Sequence, residues 1–142
     1  MLSECHRVGA DLVRVSAITE SIEAFGDRFI SRVFSPHEIG ICLEQSATAA
    51  QRFAARFAAK EATLKVLSRP DVGIDWRSIE VRRGGDGSCD MVLYGCALSI
   101  AQARGIASWS VSLSHEGEYA IAVVLAHLRQ TQQHGGLEQV SE

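Results

Sequence analysis

The chain has 142 residues, of which 46% are hydrophobic and 22% are charged, and its formal net charge is −3. This length fits a single domain with a modest core, and the composition is ordinary for a soluble globular protein. The negative balance excludes nonspecific nucleic-acid binding, which needs a basic excess. An aromatic content of 6% argues against a platform for stacking bases.

The cysteines and the N-terminus indicate the compartment. Cys5, Cys42, Cys89 and Cys96 are scattered without a C-x-x-C pair, whereas zinc sites and disulfide scaffolds need clustered cysteines. The first residues lack the basic start and apolar stretch of a signal peptide, and no apolar run approaches the roughly 20 residues that span a bilayer. We therefore expect a cytoplasmic protein with free thiols and no membrane segment.

The first half of the chain predicts one strand and three helices. Val8–Val15 is rich in β-branched residues and predicts the strand, and Ala17–Phe25 predicts a short helix that a glycine closes. A second helix begins at Ser35, where S-P-H-E combines an N-cap, a proline at the first helical position and a capping box, and it runs to about Glu44. The longest helix is predicted at Ala47–Leu67, which contains no glycine or proline.

The second half predicts a hairpin, a helix and another hairpin. The helix is expected at about Cys96–Ala103, and turn-rich segments separate the strands of each hairpin. The expected strands are Trp76–Arg82, Asp90–Tyr94, Trp109–Ser114 and Tyr119–Ala126. Helices interleaved with mostly adjacent strands predict one α+β domain over residues 1–128, and the polar segment 129–142 is expected to be a disordered tail.

One carboxylate interrupts the first predicted strand. Asp11 lies in the apolar run Val8–Val13, where a charge is costly unless something compensates it. Asp11 either lies at a strand edge in water, which the segment alone favours, or is a metal ligand. In the second case Gly9 would give a ligand close access to the backbone.

A second carboxylate lies beside the apolar stripe of the longest helix. Glu61 follows Phe57 by four residues and precedes Leu64 by three, and Lys65 follows one turn later. The ordinary explanation is an exposed Glu–Lys pair worth about 0.3–0.5 kcal/mol. The alternative is that Glu61 faces a cleft beside the first strand. There it and Asp11 would offer Mg²⁺ the oxygen ligands that this ion prefers, and Lys65 would offset charge on a phosphate.

Two further segments carry candidate phosphate contacts. Ser114 and His115 end a predicted strand, where they either donate hydrogen bonds to a phosphate or are turn residues without a role. Arg52 and Arg56 lie one turn apart on the longest helix, where they form either an anion-binding patch or a solvated face.

Four segments form motifs in a fixed order. The run Val8–Val13 fits G-x-D-[ILV], and Arg56–Ala62 with Lys65 fits R-F-A-A-K-E-A-x-x-K. Trp76–Tyr94 fits a W-x-x-I-E-V hairpin, and Val111–Ala120 fits S-L-S-H-x-x-x-Y-A. Over roughly residues 8–126 the chain therefore resembles the holo-acyl-carrier-protein synthase family of phosphopantetheinyl transferases.

The resemblance implies a phosphopantetheinyl transferase fold, in which a long helix packs on an antiparallel sheet. It also implies a homotrimer with active sites between the subunits. Asp11 and Glu61 would bind Mg²⁺, and Lys65 would assist at the transferred phosphate. The expected coenzyme A contacts are Arg56, Lys65, Ser114 and His115.

The implied activity is the Mg²⁺-dependent transfer of the 4′-phosphopantetheine group of coenzyme A to a serine of an apo acyl carrier protein of fatty-acid or polyketide synthesis. The products are the holo carrier protein and 3′,5′-ADP. Glu61 would take the serine proton, and Asp11, Glu61 and Lys65 form the expected catalytic set. A noncatalytic module that binds coenzyme A or the carrier on the same fold is the alternative, and a generic interaction module with surface charges is a second one.

The carrier protein is expected to be acidic, so its docking face on this chain should be basic. Arg28 and Arg32 lie one turn apart if their segment is helical. Arg14 would partly replace the arginine that the family commonly has where this chain has Ala17.

The chain also departs from the family in the loop 45–51, which lacks basic residues for the 3′-phosphate, and in the turn 68–73, which is not glycine-rich.

Overall fold

The computed structural model describes residues 5–67 and 73–130. In chain order the elements are strand β1 (His6–Arg14), helices α1 (Val15–Phe25), α2 (Asp27–Val33), α3 (Pro36–Cys42) and α4 (Ala49–Leu67), strands β2 (Ile79–Arg83) and β3 (Cys89–Leu93), helix α5 (Gly95–Ala103), and strands β4 (Ile106–Glu116) and β5 (Tyr119–Leu128). Within the two described ranges, no helix combines the length and the hydrophobicity that a membrane span requires.

The described strands form two sheets. The larger sheet is antiparallel and has the strand order β1-β5-β4, and β2 pairs with β3 in a separate antiparallel hairpin. In the larger sheet, Asp11 on β1 lies opposite Ala122 on β5, which lies opposite Leu113 on β4. Opposed residues share a face and successive residues alternate between faces. The sheet therefore has an inner face, which includes Asp11 and is covered by α4, and an outer face, which includes Val8 and Leu12 and is left exposed by the described residues.

Helix α4 packs closely on the inner face because the residues in contact are small. Ala58, Ala59 and Ala62 are fully buried on the helix side. On the strand side, a Cβ atom at Gly9 would lie 2.8 Å from the Val66 Cγ2 atom and would also overlap the carbonyl oxygen of Ala62. The glycine thus lets β1 approach the helix backbone, and this approach places the α4 side chains beside β1.

A buried ion pair joins α3 to α4. The side chains of Glu38 and Lys60 are both fully buried, and the Lys60 Nζ atom lies 2.8 Å from the Glu38 Oε1 atom. The same Oε1 atom accepts a hydrogen bond from the backbone N–H of Ser35 at 2.8 Å, which completes the capping box of α3. The other carboxylate oxygen accepts from the backbone N–H of Val81 at 2.8 Å. Glu38 therefore ties the start of α3 to strand β2.

Lys60 extends this network to the residues that lead into β2. Its ammonium group donates to the carbonyl oxygen of Trp76 at 2.9 Å and to that of Ile79. Burial lowers the pKa of Lys60, and the negative charge of Glu38 opposes this shift. With three acceptors around it, the ammonium group satisfies all its donors without water.

The prediction of an α+β fold with a long helix on an antiparallel sheet is confirmed. The helix predicted from Ala47 begins at Ala49, because Ser46–Thr48 forms a 3₁₀ turn. The strand predicted from Trp76 begins at Ile79, because the Asp75 carboxylate accepts from the Arg77 N–H at 2.9 Å and holds a 3₁₀ turn there. In the expected tail, residues 131–142 lie outside the described part of the chain.

Candidate active site

Asp11 lies on the inner face of β1, between the strand and α4. Its side chain is 17% exposed, and its Oδ1 atom accepts a hydrogen bond from the Lys65 Nζ atom at 2.9 Å. The same ammonium group donates to the carbonyl oxygen of Ala10 at 3.1 Å. The interpretation of Asp11 as a solvated edge residue is therefore wrong: β1 is an edge strand, but this carboxylate is shielded and paired.

Glu61 lies one turn before Lys65 on α4 and is half-buried. Burial raises the pKa of its carboxyl group, the negative charge of Asp11 raises it further, and the positive charge of Lys65 opposes both effects. The two carboxylates are thus close enough to repel each other. Such a pair is costly unless a proton or a cation compensates it.

The chemistry of this carboxylate pair fits Mg²⁺. Both candidate ligands are oxygens, and this hard ion usually takes one or two carboxylates, completing its shell with substrate phosphates and water. In the described part of the chain, no group of three or more histidine, cysteine, aspartate or glutamate residues is arranged to hold a metal ion. Asp11 and Glu61 therefore suit an ion that receives its remaining ligands from a phosphate compound.

His115 and Ser114 lie at the end of β4 but on opposite faces of the sheet. His115 lies opposite Ala120, which lies opposite Val13, so His115 shares the inner face with Asp11. His115 lies two strands across the sheet from Asp11 and two residues further along the strand direction. The Cα atoms of the two residues are therefore roughly 12 Å apart. Ser114 faces outward. Both residues line a shallow depression of about 200 Å³, together with Leu12, Glu116, Tyr119, Ala120 and Ile121.

Arg56 lies on another side of α4. Arg56 precedes Glu61 by five positions, so the two side chains point in directions about 140° apart around the helix axis. Arg56 is 5% exposed and donates from Nη1 to the carbonyl oxygen of Arg52 at 3.3 Å, while its buried Nε atom has no hydrogen-bond partner within residues 5–67 and 73–130. Burial raises the pKa of the Cys42 thiol to about 12, and the charge of Arg56 opposes this rise. Arg56 therefore faces α3, and its interpretation as part of a solvated face is wrong.

The three arginines expected at the carrier-binding face are exposed. Arg28 and Arg32 lie on α2, so the condition that their segment is helical is met. They line a groove of about 230 Å³ whose other walls are Phe25, Phe29 and Val33. Arg14 ends β1, with its guanidinium carbon 5.5 Å from the centre of the Tyr119 ring.

Comparison with protein families agrees with this geometry. The model of the 4′-phosphopantetheinyl transferase superfamily matches residues 7–124. The chain belongs to this superfamily. The family membership predicted from the sequence motifs is thus confirmed.

Relatives within the 4′-phosphopantetheinyl transferase superfamily include two enzymes named holo-[acyl-carrier-protein] synthase. The one from Koribacter versatilis is 43% identical, over 82% of this chain and 94% of its own length. The one from Gloeobacter violaceus is 40% identical, over 84% of this chain and 90% of its own length.

Solved structures with this phosphopantetheinyl transferase fold include complexes with coenzyme A. The Helicobacter pylori holo-[acyl-carrier-protein] synthase with coenzyme A gives a TM-score of 0.73 at 28% identity, covering 84% of this chain and 99% of that one. The Chronobacterium ammoniagenes complex with coenzyme A gives a TM-score of 0.77 at 29% identity, covering 89% and 100%.

One residue of the transferase helix motif received no role from the sequence. Lys60 directly precedes Glu61, but it points into the protein and pairs with Glu38. A signal was available, because Lys60 lies between the buried positions Phe53 and Leu67 and one turn from Arg56 on the same helix. Its partner is far away in sequence, so the pair was visible only in the fold.

Proposed function

We propose that this protein is a holo-acyl-carrier-protein synthase, which transfers the 4′-phosphopantetheine group of coenzyme A to a serine of an apo acyl carrier protein. The convergence of Asp11, Glu61 and Lys65 between β1 and α4 is the observation that supports this function. The names of the relatives and the coenzyme A bound to the similar structures support the same substrate pair.

In this reaction the serine oxygen of the carrier forms a bond to the β-phosphorus of coenzyme A. The bond from that phosphorus to the bridging oxygen breaks, and the electron pair leaves on 3′,5′-ADP. Glu61 accepts the serine proton, and its raised pKa makes it a better base than an ordinary glutamate. Lys65, whose side chain is 56% exposed, donates to an oxygen of the transferred phosphate.

Asp11 and Glu61 are the residues that would hold Mg²⁺. When bound, this ion supplies positive charge that neutralises the coenzyme A pyrophosphate. Lys65 keeps the Asp11 carboxylate in place by its hydrogen bond to Oδ1. The backbone contact from Lys65 to Ala10 further fixes the distance between α4 and β1.

His115, Ser114 and Arg56 are the proposed further contacts to coenzyme A. His115 shares the inner face with Asp11, at a separation that a pyrophosphate and its nucleotide can span. Ser114 faces outward, so its contact would be to a coenzyme A molecule held at the neighbouring subunit. Among the described residues the Arg56 Nε atom is buried and unpaired, so a phosphate would reach it only after the residues that cover it had moved.

The proposed docking face for the carrier is formed by Arg14, Arg28 and Arg32. An acidic helix would place its carboxylates on Arg28 and Arg32 and its apolar side chains in the groove between them. Phe25 in this groove is 60% exposed and offers an apolar surface to such side chains.

We also propose that the chain assembles as a homotrimer and acts in the cytoplasm. The outer face of the sheet exposes Val8, Leu12, Ile121 and Val123 by 39% to 67%, and a contact with other copies would bury this apolar surface. Cys42, Cys89 and Cys96 are free thiols among the described residues, which agrees with a reducing compartment.

Transfer is tested by incubating the protein with coenzyme A, Mg²⁺ and several apo carrier proteins, and by weighing the carriers with mass spectrometry. We expect one carrier to gain the mass of one phosphopantetheine group. A chelator should abolish the gain, and Mg²⁺ or Mn²⁺ should restore it. Binding of coenzyme A without transfer to any carrier would instead indicate a noncatalytic module.

Variants of the carboxylate pair connect this activity to the site. Asp11→Ala and Glu61→Ala should each lower the transfer rate by several orders of magnitude, because each removes a ligand that acts at the reacting phosphate. Asp90→Ala, which removes an exposed carboxylate on β3, is the matched control and should keep full activity. The circular dichroism spectra of all three variants should match that of the parent. Full turnover by either Asp11→Ala or Glu61→Ala would contradict the assignment.

A further inference from the structure

Two histidines face each other at the end of the larger sheet that is remote from Asp11. His6 starts β1 and His127 lies near the end of β5, and the two are directly opposed in the strand register. Their ring centroids are 5.2 Å apart, and the ring planes are inclined by 77°. In the single chain His6 is exposed and His127 is half-buried, and the pair lies at the end of the outer face.

The spacing of the two rings matches that of two imidazoles bound to one metal ion. With a metal–nitrogen bond of about 2.0–2.1 Å, each ring centroid lies about 3.2 Å from the metal, and a tetrahedral angle then separates the centroids by about 5.2 Å. An aromatic contact alone would allow any centroid distance between about 4.5 and 7 Å. The observed separation of 5.2 Å therefore agrees with tetrahedral binding of one ion by both rings.

A neighbouring hydroxyl group supports one of these rings. The Ser110 Oγ atom on β4 lies 2.8 Å from the His127 Nε2 atom. If Nε2 donates its proton to Ser110, the lone pair of His127 lies on Nδ1. Hydrogen bonds of this type fix the tautomer and orientation of metal-binding histidines.

We propose that His6 and His127 form a binding site for a divalent transition-metal ion such as Zn²⁺ or Co²⁺, with Ser110 as a positioning residue. Imidazole nitrogen is a preferred ligand of these ions. Water would supply the remaining positions, because two histidines of the described residues meet here. A bound ion would clamp the start of β1 to β5 and so stabilise the edge of the sheet.

This site differs from the carboxylate pair in chemistry and in place. Asp11 is five residues further along β1 and on the other face of the sheet, about 17 Å away. Asp11 and Glu61 offer oxygen to a hard ion, whereas the histidines offer nitrogen. A charged residue and a thiol are near the histidines in the chain. Arg7 lies opposite Ala126 on the inner face of the sheet, which is the other face from the histidines, and Cys5 immediately precedes β1.

Calorimetric titration of the full chain with Zn²⁺, in excess Mg²⁺ to occupy the carboxylate pair, tests the proposal. We expect one ion per chain. His6→Ala and His127→Ala should each weaken its affinity at least about tenfold, and Ser110→Ala should weaken it by up to about tenfold. Zn²⁺ should raise the thermal unfolding midpoint of the parent by several degrees and leave those of the histidine variants unchanged.

Two control variants and one spectrum on the unmodified protein make the result decisive. His37→Ala removes a histidine elsewhere, and Cys5→Ser removes the neighbouring thiol, and both should bind Zn²⁺ as tightly as the parent. The unmodified chain with Co²⁺ should show the visible bands of tetrahedral nitrogen and oxygen ligation, without thiolate charge transfer. Unchanged affinity in the His6 and His127 variants, or loss of binding in Cys5→Ser, would overturn the proposal.

Discussion

At the scale of single residues, the position of Asp11 depends on the absence of a side chain two residues earlier. Gly9 is buried against α4, where an added Cβ atom would overlap the carbonyl oxygen of Ala62 and crowd Val66. Neither contact is the end of a long flexible side chain that could turn away. Any larger residue must therefore push β1 away from the helix that carries Glu61 and Lys65.

We accordingly expect Gly9→Ala to destabilise the protein and to impair activity. Overpacking of this kind costs about 1–3 kcal/mol in the free energy of unfolding, which urea denaturation measures. The rate of transfer should fall by more than the lost stability explains, because Asp11 moves relative to Glu61. Gly40→Ala is the control: a Cβ atom there meets nothing within 4 Å, so neither quantity should fall.

The buried ion pair predicts a different response at Lys60. Replacing Lys60 by methionine leaves Glu38 charged and without its cation, and breaking a buried pair in this way costs about 3–5 kcal/mol. Urea denaturation should show this loss, and the double variant Glu38→Gln with Lys60→Met should recover part of it. Arg77→Met removes an exposed ion pair with Asp75 and should change stability little. Equal effects of Lys60→Met and Arg77→Met would contradict the structural role of the buried pair.

The sequence singled out Asp11 and Glu61 as candidates for a physical reason that the structure shares. Both are charges beside apolar residues, which is unfavourable without a compensating partner. The same reasoning did not identify Lys60, because its acceptors come from α3 and from the turn before β2, and their approach depends on the tertiary fold. A charged residue within an apolar pattern can be recognised in a sequence, whereas the residues that it contacts in the fold cannot.

At the scale of secondary structure elements, strong local signals were predictive. The capping box at Ser35 was predicted and is present with both of its hydrogen bonds. Helix α2 was not predicted as an element, because seven residues are too few to show a helical period. The pairing of β1 with β5 also lay beyond the sequence, since no local signal specifies which strand lies beside another.

Helix α2 carries a prediction of its own. Reversing the charges in the double variant Arg28→Glu with Arg32→Glu should raise the KM for the carrier protein about tenfold or more at low salt, because charges at the rim of an interface govern encounter. The dependence of this KM on salt should become flatter, while the KM for coenzyme A should barely change. Steady-state kinetics with each substrate varied in turn measures both constants.

The control variant for this experiment makes the same change in net charge at another place on the surface. Arg7 and Arg129 are exposed and lie near the opposite ends of β1 and β5 from the docking groove. The double variant Arg7→Glu with Arg129→Glu should leave the KM for the carrier close to that of the parent. If the α2 double variant also left it unchanged, the carrier would have to dock on another face.

At the scale of the whole molecule, the two faces of the larger sheet are unequal. Helix α4 covers the inner face, where Ala120, Ala122, Val124 and Ala126 are almost fully buried. Their neighbours on β5 are also apolar but point outward, and Ile121 and Val123 are 39% and 40% exposed. A strand that is apolar on both sides is typical of a sheet covered on both faces. Residues 5–67 and 73–130 supply one of these covers, the helix α4, and leave the other face exposed.

A charge in the centre of the outer face should therefore separate the subunits without unfolding them. Val123 lies in the central strand and points away from the core, so Val123→Glu should keep the circular dichroism spectrum of a folded chain. Multi-angle light scattering should report a trimer for the parent and a monomer for this variant, because a buried carboxylate without a partner strongly disfavours an interface. If the active sites lie between subunits, the rate of transfer per chain should fall when the trimer dissociates.

Leu43→Glu is the matched control, since Leu43 is 56% exposed but lies at the end of α3, outside the sheet. It should remain a trimer with full activity. A parent protein that is a fully active monomer, or a Val123→Glu variant that stays trimeric, would show that the outer face of the sheet is not the contact between subunits.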